Sequence, residues 1–376
     1  MVRQDLHQAQ PQRRSQPHDL QARHQVHVQG RRDAAVVTER FVPGLRICFR
    51  GLDVIASSTQ LATPVAKASV LPTIFKRIIY VLAALYVAGT VIGGAGLGWI
   101  AVHPYSHPIT QQETATAAAW SQRNSVEFRD VTRHASDGTA LHGWYMRPLE
   151  PNGNAVILLH GVGDNLLGMY GFGKWLVENR YTVLMTDARG HGNSGGLASY
   201  GVRESGDIHE WIDWIAAQGP LHCMYGLGES MGAAELLQSL PREPRFCAVV
   251  AESPFSSFRE IAYVRMGQLF NLGPWIGRTV FRPTVDAGFL YVRLRCGLNL
   301  QSAAPETAVA ISKTPVLLIH GLSDTNIPPY HSDLIQARNP SSVVVWKVPG
   351  AVHTGSHAAA PAEFDQRVLD WFGGHS

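Results

Sequence analysis

The segment YGLGESMGAA, residues 225–234, follows a short apolar run and leads into residues that can form a helix. Its centre, GESMG at 228–232, matches the pattern G-x-S-x-G. Serine and glycine are common in this chain, so the pattern alone is weak evidence. Its position between a strand and a helix is stronger evidence, because a sharp strand-to-helix turn exposes a serine hydroxyl and has room only for small neighbours. The segment therefore predicts an α/β fold in which Ser230 is a candidate nucleophile.

Short apolar runs and amphipathic stretches alternate from about residue 125 onward. Each run ends in a turn, and such a continuous run is typical of a strand buried on both faces. The alternation predicts one α/β domain, residues 125–376, with a mainly parallel central sheet and helices on both faces. The predicted strands lie at 154–161, 181–190, 222–230, 246–254, 314–321 and 342–350, and the predicted helices at 168–179, 203–217, 231–240, 330–338 and 361–373.

Two segments of this domain depart from the alternation. Residues 125–134 and 140–148 flank an Asp137-Gly138 pair, so they predict an antiparallel hairpin at one edge of the sheet. Residues 255–312 are apolar, aromatic and helical in pattern, and they interrupt the succession of strands. We expect them to form a helical cap over the strand ends. Helices packed elsewhere on the domain are the alternative.

Positive charge is concentrated at the N-terminus. In residues 1–77 Lys and Arg outnumber Asp and Glu by more than two to one, whereas acidic residues are in excess in the remainder. Most of this segment lacks an apolar period, so we expect a basic, disordered arm. A start codon assigned too far upstream would also add such an arm. Its histidines are interpreted as solvated residues rather than metal ligands, because they lack cysteine partners and helical spacing: His7, His18, His24 and His27.

Residues 78–102 are 25 residues without a charged side chain, and Lys76 and Arg77 directly precede them. About 20 apolar residues span a bilayer core. The run is too long for a signal-peptide core and has no clear cleavage site, so we predict a retained single-pass anchor. The positive-inside tendency leaves the N-terminus in the cytoplasm and the catalytic domain outside it, periplasmic or extracellular. The alternatives are the reverse orientation and a buried helix of a soluble protein.

Glycines in the predicted anchor have the spacing of a helix-packing motif. Gly89/Gly93 and Gly94/Gly98 fit G-x-x-x-G, which allows two membrane helices to approach closely. A helix-mediated dimer is therefore one prediction. The following residues, 103–124, begin HPYSHP and are predicted to be a linker stiffened by proline rather than a metal site.

The chain has four cysteines, too few for a disulfide framework in a domain of this size: Cys48, Cys223, Cys247 and Cys296. Cys223 and Cys247 each begin an apolar run that predicts a strand, and the two strands are expected to be neighbours. A disulfide between them, in a domain outside the cytoplasm, is therefore one alternative. Buried free thiols are the favoured prediction.

A serine nucleophile needs a base, and the base needs a third group to orient it. Ligands of an open α/β sheet bind beyond the carboxyl ends of the strands. Asp324 in GLSDTNIP and His353 in PGAVHTG lie at the ends of the last two predicted strands. The order Ser230, Asp324, His353 is the one expected on this fold. We predict that these residues are nucleophile, orienting carboxylate and general base.

Other residues compete for two of these roles. Asp187 also ends a predicted strand, but it precedes the serine and is interpreted as part of a turn that shapes the pocket. His357 lies four residues after His353 and stays open as an alternative base. A turn-capping residue is the alternative interpretation of Asp324.

The tetrahedral intermediate of acyl transfer needs hydrogen-bond donors for its oxyanion. On this fold they are backbone N–H groups, one following the nucleophile and one in the loop after the third strand. We predict Met231 as the first donor and Val162, in HGVGDN, as the second. His160 is interpreted as a residue that orients this loop rather than as a base.

The segments LLHGVGDN, DARGHGNSGG, GLGESMG, LIHGLSDTNIP and GAVHTG, in this order, make residues 126–373 resemble the α/β-hydrolase superfamily. The domain looks most like the serine hydrolases near the prolyl-oligopeptidase-like and serine-aminopeptidase-like branch. The resemblance implies the α/β-hydrolase fold, a Ser-Asp-His triad and no cofactor. It does not extend to the arm or the predicted anchor.

The family contains esterases and peptidases, and the fold does not choose between them. The apolar segment 255–312 indicates a pocket for an acyl or aromatic group, so a small carboxylic ester is the favoured substrate. A short peptide is the alternative, and a non-catalytic interaction protein is a third hypothesis. Basic residues of the domain are scattered, which argues against a nucleic-acid partner. No metal site is predicted.

Overall fold

A computed structural model of the chain describes residues 70–376. The predictions for the N-terminal arm, including its histidines and Cys48, lie outside the described residues. The helices are α1 (Val70–Val102), α2 (Gln111–Arg123), α3 (Tyr170–Glu178), α4 (Glu204–Ala216), α5 (Met231–Ser239), α6 (Phe258–Leu269), α7 (Pro274–Arg278), α8 (Arg282–Cys296), α9 (Pro305–Val309), α10 (Tyr330–Arg338), α11 (Ser356–Ala359) and α12 (Pro361–Gly373). The strands are β1 (Val126–His134), β2 (Ala140–Pro148), β3 (Ala155–Leu159), β4 (Thr182–Thr186), β5 (Met224–Glu229), β6 (Phe246–Glu252), β7 (Val316–Gly321) and β8 (Val343–Val348).

The strands of the described residues form one eight-stranded sheet in the order β1-β2-β4-β3-β5-β6-β7-β8. From β4 to β8 all neighbours are parallel, while β2 runs antiparallel to both β1 and β4. The predicted hairpin is confirmed as β1 and β2 at the edge of the sheet. This order and direction of strands is that of the α/β-hydrolase fold, and the predicted fold class is confirmed.

The central strands are apolar throughout because helices cover both faces of the sheet. Val156 and Leu158 of β3 face one core, which α3 and α12 close. Ile157 and Leu159 of the same strand face the other core, which α4, α5 and α10 close. Burial on both sides removes the polar alternation that a half-exposed strand would show. It is also why these strands were recognisable as short continuous apolar runs.

The second half of the predicted linker 103–124 forms helix α2. Helix α2 begins after Thr110, whose side-chain hydroxyl accepts a hydrogen bond from the N–H of Glu113. The Glu113 carboxylate accepts in return from the N–H of Thr110, at 2.8 Å. This reciprocal pair is a capping box, and it satisfies two amides that a helix start otherwise leaves without a partner. The spacing T-x-x-E of Thr110 and Glu113 is the sequence pattern of a capping box and predicts the start of a helix.

Helix α1 is long and apolar enough over Pro72–Val102 to cross a membrane, and it fits a single anchoring helix. It packs along α8 of the same chain. A Cβ atom added to Gly94 would lie 2.6 Å from the carbonyl oxygen of Thr284, and one added to Gly98 would lie 2.7 Å from that of Gly288. The Gly94/Gly98 face is thus occupied within the chain, whereas Gly89 has no heavy atom within 4 Å of such a Cβ. A helix-mediated dimer stays a prediction.

The preference for free thiols at Cys223 and Cys247 is wrong, because the structure joins them in a disulfide. Cys223 directly precedes β5 and Cys247 is the second residue of β6. These strands are parallel neighbours, and Met224 pairs with Phe246. Their Cα atoms are 5.7 Å apart, within the range that a disulfide can bridge. Adjacent parallel strands therefore supply the proximity that the 24-residue separation along the chain does not reveal.

Candidate active site

Ser230 lies at the turn between β5 and α5. Its backbone is in a region that side chains rarely adopt, with φ of 53° and ψ of −110°. The N–H of Ser230 donates to the carbonyl oxygen of Glu252 at 2.8 Å, which ties the turn to β6. A Cβ at Gly228 would lie 2.7 Å from the backbone of Gly232, and one at Gly232 would lie 2.4 Å from the carbonyl oxygen of Leu159. The two glycines of the motif are therefore required by close backbone approach.

The structure brings Ser230, His353 and Asp324 into one hydrogen-bonded chain. The Ser230 hydroxyl lies 2.9 Å from Nε2 of His353, and Nδ1 of His353 lies 2.7 Å from Oδ2 of Asp324. Since a carboxylate only accepts, Nδ1 carries the proton and Nε2 is free to accept from the serine. This arrangement can remove the hydroxyl proton during attack.

Asp324 is held as a carboxylate. Burial alone would raise its pKa, but hydrogen bonds from His320, from His353 and from the N–H of Ile327 hold the pKa well below the usual range. The other carboxylate oxygen, Oδ1, accepts from the amides of Asn326 at 2.8 Å and Ile327 at 2.9 Å. A fixed negative charge beside Nδ1 stabilises the imidazolium that forms when His353 takes a proton.

The two residues expected to supply the oxyanion donors, Met231 and Val162, line the same pocket as Ser230. Met231 is the first residue of α5, where an N–H has no partner within its helix. Val162 lies in the loop after β3. Within residues 70–376 neither amide donates a hydrogen bond to the protein. The role of the two amides as oxyanion donors stays a prediction.

His160 is fully buried beside this loop. Its Nε2 accepts from the N–H of Ala188 at 3.1 Å, and its Nδ1 lies 2.7 Å from the carbonyl oxygen of Gly161. Burial lowers the pKa of His160, so the ring is neutral with the proton on Nδ1. This is the loop-orienting position expected from the sequence.

A cavity of about 610 Å³ opens beside Ser230. Its walls are mainly apolar and come from α6 and α8, from the loops around the serine and from the end of α1. Helices α6 to α9 are the segment between β6 and β7 for which a cap was expected, and they are called the cap below. The α1 side chains are Leu97, Ile100 and Ala101, and the cap contributes Phe258, Ile261, Val285, Phe289 and Val292. The participation of α1 could not be found in the sequence, since an apolar membrane helix and an apolar pocket wall have the same composition.

Arg265 is the charged residue of the pocket lining. Its Nη1 lies 3.2 Å from Oε1 of Gln268 and 3.3 Å from Oδ1 of Asn326. Within the described part of the chain no carboxylate lies within 4 Å of it. The pocket therefore presents a positive charge and no negative one to a bound molecule.

The competing residues make other contacts, and the imidazole bonded to the Ser230 hydroxyl is that of His353. Asp187 is buried, and its two oxygens accept from the N–H of Leu166 at 2.8 Å and from the N–H of Asn193 at 2.9 Å. It ties together the loops after β3 and β4, as a turn-shaping residue does. His357 is half exposed, and its Nε2 lies 3.3 Å from Asp365. Within residues 70–376 it makes no hydrogen bond to Ser230.

Sequence reasoning missed two ionisable neighbours of the site. His320, at the end of β7, lies 3.3 Å from Oδ2 of Asp324, and a histidine four residues before the predicted orienting carboxylate was the available signal. Glu229 precedes the serine. Burial, together with Glu252 and Asp164, raises its pKa to about 8. The residue between the glycine and the serine of the motif is therefore protonated at neutral pH.

No group of three His, Cys, Asp or Glu side chains within residues 70–376 has the arrangement of a metal site. His103, in the HPYSHP segment that was predicted to be a linker rather than a metal site, has Nδ1 2.9 Å from the carbonyl oxygen of Trp99.

The family model described as "Serine aminopeptidase, S33" matches residues 150–286. The Bacillus subtilis (strain 168) protein YqkD is 28% identical over 195 residues, which cover 51% of this chain and 61% of YqkD. This chain thus spans about three fifths of the length of that relative.

Two solved structures share the architecture. The esterase Pf2001 of Pyrococcus furiosus superposes with a TM-score of 0.57 at 23% identity, covering 73% of this chain and 99% of the esterase. The acylaminoacyl peptidase of Pyrococcus horikoshii has a TM-score of 0.51 at 17% identity, covering 69% of this chain and 43% of the peptidase. At these identities the similarity shows a common fold.

Proposed function

We propose that this chain, an α/β hydrolase of the esterase and peptidase type, is a membrane-anchored serine hydrolase that cleaves a carboxylic ester through an acyl-enzyme. The observation that carries the proposal is the hydrogen-bonded chain from Ser230 through His353 to Asp324. It is supported by the strained turn that presents the serine and by the two unpaired amides beside it.

In the first half-reaction, Oγ of Ser230 attacks the ester carbonyl carbon while Nε2 of His353 takes the hydroxyl proton. The carbonyl oxygen becomes an oxyanion, which accepts from the N–H groups of Met231 and Val162. The bond to the alkoxy oxygen then breaks, and Nε2 gives its proton to the leaving alcohol. In the second half-reaction a water molecule attacks the acyl-enzyme, His353 takes the water proton, and Ser230 leaves with it as the carboxylic acid departs.

The lining of the pocket favours an ester over a peptide with a free amino terminus. An aminopeptidase must bind an α-ammonium group, and a carboxylate is the usual partner for such a charge. The charged residue of this pocket is Arg265, which would repel an ammonium group. The large apolar wall suits an acyl chain. Peptide hydrolysis is the second candidate, and the serine-aminopeptidase family model favours it.

The membrane anchor and its orientation are part of this proposal. Helix α1 has the required length and composition, and Lys76 and Arg77 near its start favour a cytoplasmic N-terminus. The disulfide between Cys223 and Cys247 is an independent argument, because disulfides persist in oxidising compartments and are rare in the cytosol. The catalytic domain would then be periplasmic or extracellular.

The orientation can be tested with protease added to intact cells that express the chain. If the domain is exposed outside, the protease removes it without cell lysis. Protection until lysis would contradict the proposed orientation and leave the catalytic proposal unaffected.

The catalytic proposal is tested by hydrolysis of p-nitrophenyl butyrate by the full chain in detergent. The variant Ser230→Ala should lose both turnover and labelling by a fluorophosphonate. The control Ser341→Ala changes an exposed serine just before β8 and should keep both. Turnover that survives Ser230→Ala would disprove the proposed nucleophile. Labelling of Ser230 without ester turnover would favour aminoacyl substrates, and absence of both would favour a non-catalytic protein.

A further inference from the structure

We propose that the pocket receives the acyl chain of a lipid ester directly from the bilayer, and that the end of α1 is the wall along which the chain enters. This inference rests on the proposed esterase function and names its substrate class. Its basis is that the helix which would anchor the protein and the pocket that holds the nucleophile share residues.

The end of α1 is fixed to the catalytic domain. The Tyr200 hydroxyl donates to the carbonyl oxygen of Ala101 at 2.7 Å, and the N–H of Ala198 donates to that of Val102 at 3.3 Å. The Val102 side chain is buried in the apolar cluster that contains Met231. The last turns of α1 therefore belong to the core beside the nucleophile rather than to a loose tether.

The segment that follows α1 is also bound to loops of the site. The Ser106 hydroxyl accepts from the N–H of Gly192 at 2.7 Å, and the carbonyl oxygen of His107 accepts from the side-chain amide of Asn165 at 3.1 Å. The N–H of Ile109 donates to Asn193 at 3.0 Å. These bonds leave the anchor little freedom to move away from the pocket.

The α1 residues that line the pocket lie where the helix would leave the hydrocarbon core of the membrane. A helix rises about 1.5 Å per residue, and about 20 residues cross the hydrocarbon core. Counted from Arg77, such a span ends near Leu97, which is the first α1 residue of the pocket lining. The pocket wall formed by Leu97, Ile100 and Ala101 would therefore lie at the interface between bilayer and water.

The rim of the pocket is apolar on both sides. Ile100 of α1 and Leu269 of α6 line the pocket, and they are also 60% and 65% exposed. An opening into water would leave these side chains in contact with solvent, whereas an opening into lipid would cover them. The rim thus has the character of an entrance for hydrocarbon.

The cap carries an exposed apolar face next to this rim, formed by Leu269, Phe270, Leu272, Trp275 and Val280. It extends along the anchor, because the Tyr86 hydroxyl donates to the carbonyl oxygen of Val280 at 3.1 Å. Tyr86 lies about halfway along the span counted from Arg77, so this part of the cap would lie within the hydrocarbon layer, below the interface. The neighbouring Arg278 and Arg282 are paired with Glu260 and Asp286, so each of these two positive charges has a carboxylate partner. A bilayer that holds α1 must meet this face, and we assign the bilayer as its occupant.

The first test uses the ratio of kcat/KM for p-nitrophenyl palmitate to that for p-nitrophenyl acetate, measured with the full chain in detergent. Ala101→Phe should lower this ratio about tenfold or more, the loss expected when two or more methylene groups can no longer be buried. Ala84→Phe makes the same change on an exposed part of α1 and should leave the ratio as in the wild type. Leu97→Ala enlarges the pocket and should raise the palmitate-to-acetate ratio.

The results separate this inference from the proposed function. A wild type that cleaves the acetate but not the palmitate would overturn the inference and leave the esterase intact. A ratio unmoved by both Ala101→Phe and Leu97→Ala in folded protein would overturn the role of α1. If neither ester is cleaved and the fluorophosphonate does not label Ser230, the proposed function itself fails.

The second test asks whether the chain enters from the bilayer. The full protein is reconstituted in phosphatidylcholine vesicles that contain the palmitate ester, and its rate is compared with that in detergent micelles. The double change Leu272→Ser and Trp275→Ser should lower the vesicle-to-micelle ratio several-fold. Leu149→Ser, an exposed leucine outside the cap, is the control. An equal ratio in all three proteins would show that the cap face does not meet the lipid and would overturn entry from the bilayer.

Discussion

The imidazole of His160 donates through Nδ1 to the carbonyl oxygen of Gly161 at 2.7 Å. That carbonyl belongs to the same planar peptide unit as the N–H of Val162. Because C=O and N–H point in opposite directions in a trans peptide, holding the oxygen toward His160 turns the N–H away from it. The same ring is anchored at Nε2 by the N–H of Ala188. A buried histidine thus orients one of the two amides expected to bind the oxyanion.

Replacing His160 by Ala should lower kcat for a short p-nitrophenyl ester by about tenfold to a hundredfold, below the loss of 10² to 10³ seen when an oxyanion donor is removed outright. KM should change little, because the amide acts mainly on the transition state. His160→Asn, which keeps a donor near the Gly161 oxygen, should recover part of kcat. A rise in KM with constant kcat would contradict this role.

The variant Asp324→Asn should lower kcat by about 10⁴-fold with little change in KM. An amide can donate to His353 and so favours the tautomer in which Nε2 is protonated, leaving the serine without a base. Steady-state kinetics on the short ester measure the effect. Asp333→Asn, which affects an exposed pair with Lys347, is a matched control and should stay within about twofold of the wild type.

Ionisation of Glu229 should limit the reaction on the alkaline side. Its pKa is raised to about 8, first by burial and then by the nearby carboxyls of Glu252 and Asp164. Above that pH a negative charge develops next to Ser230 and opposes formation of the oxyanion. In the wild type kcat/KM should therefore fall near pH 8. In Glu229→Gln it should stay high to a more alkaline pH.

The same group should affect stability in a defined direction. The folded state keeps a proton on Glu229 that the unfolded chain releases near the ordinary pKa of 4.5. The contribution to folding is complete below that pH and is lost as the pH rises toward 8. Between pH 4.5 and about 8, the free energy of unfolding measured with denaturant should fall less in Glu229→Gln than in the wild type. Parallel curves for the two proteins would contradict the assignment.

Reducing the bridge between Cys223 and Cys247 should lower the free energy of unfolding by about 3 kcal/mol, because the cross-link restricts a loop of 24 residues in the unfolded chain. Urea unfolding with and without a reductant measures the change. The double variant Cys223→Ala and Cys247→Ala should behave like the reduced protein and should not respond to reductant. Cys296→Ser, at a free cysteine, should keep the reductant sensitivity.

Residues of the site that follow strands were accessible from the sequence. Ser230, Asp324 and His353 stand at three strand ends, and parallel strands in one sheet bring their carboxyl ends to the same edge. The contact between Asp324 and His320 was less accessible. The spacing of four residues between them was a signal, but the contact itself requires that the turn after β7 fold the carboxylate back toward its own strand.

The division between what the sequence determined and what the tertiary structure decided follows the range of the interactions. Continuous apolar runs, the G-x-S-x-G turn and the order of polar residues determined the α/β-hydrolase fold and the candidate triad, because strand burial and turn geometry depend on neighbouring residues. The pairing of Cys223 with Cys247 and the entry of α1 into the pocket were decided only in three dimensions. Both depend on which distant segments become neighbours, and the apolar sequence of α1 is equally suited to lipid, to α8 and to the wall of a pocket.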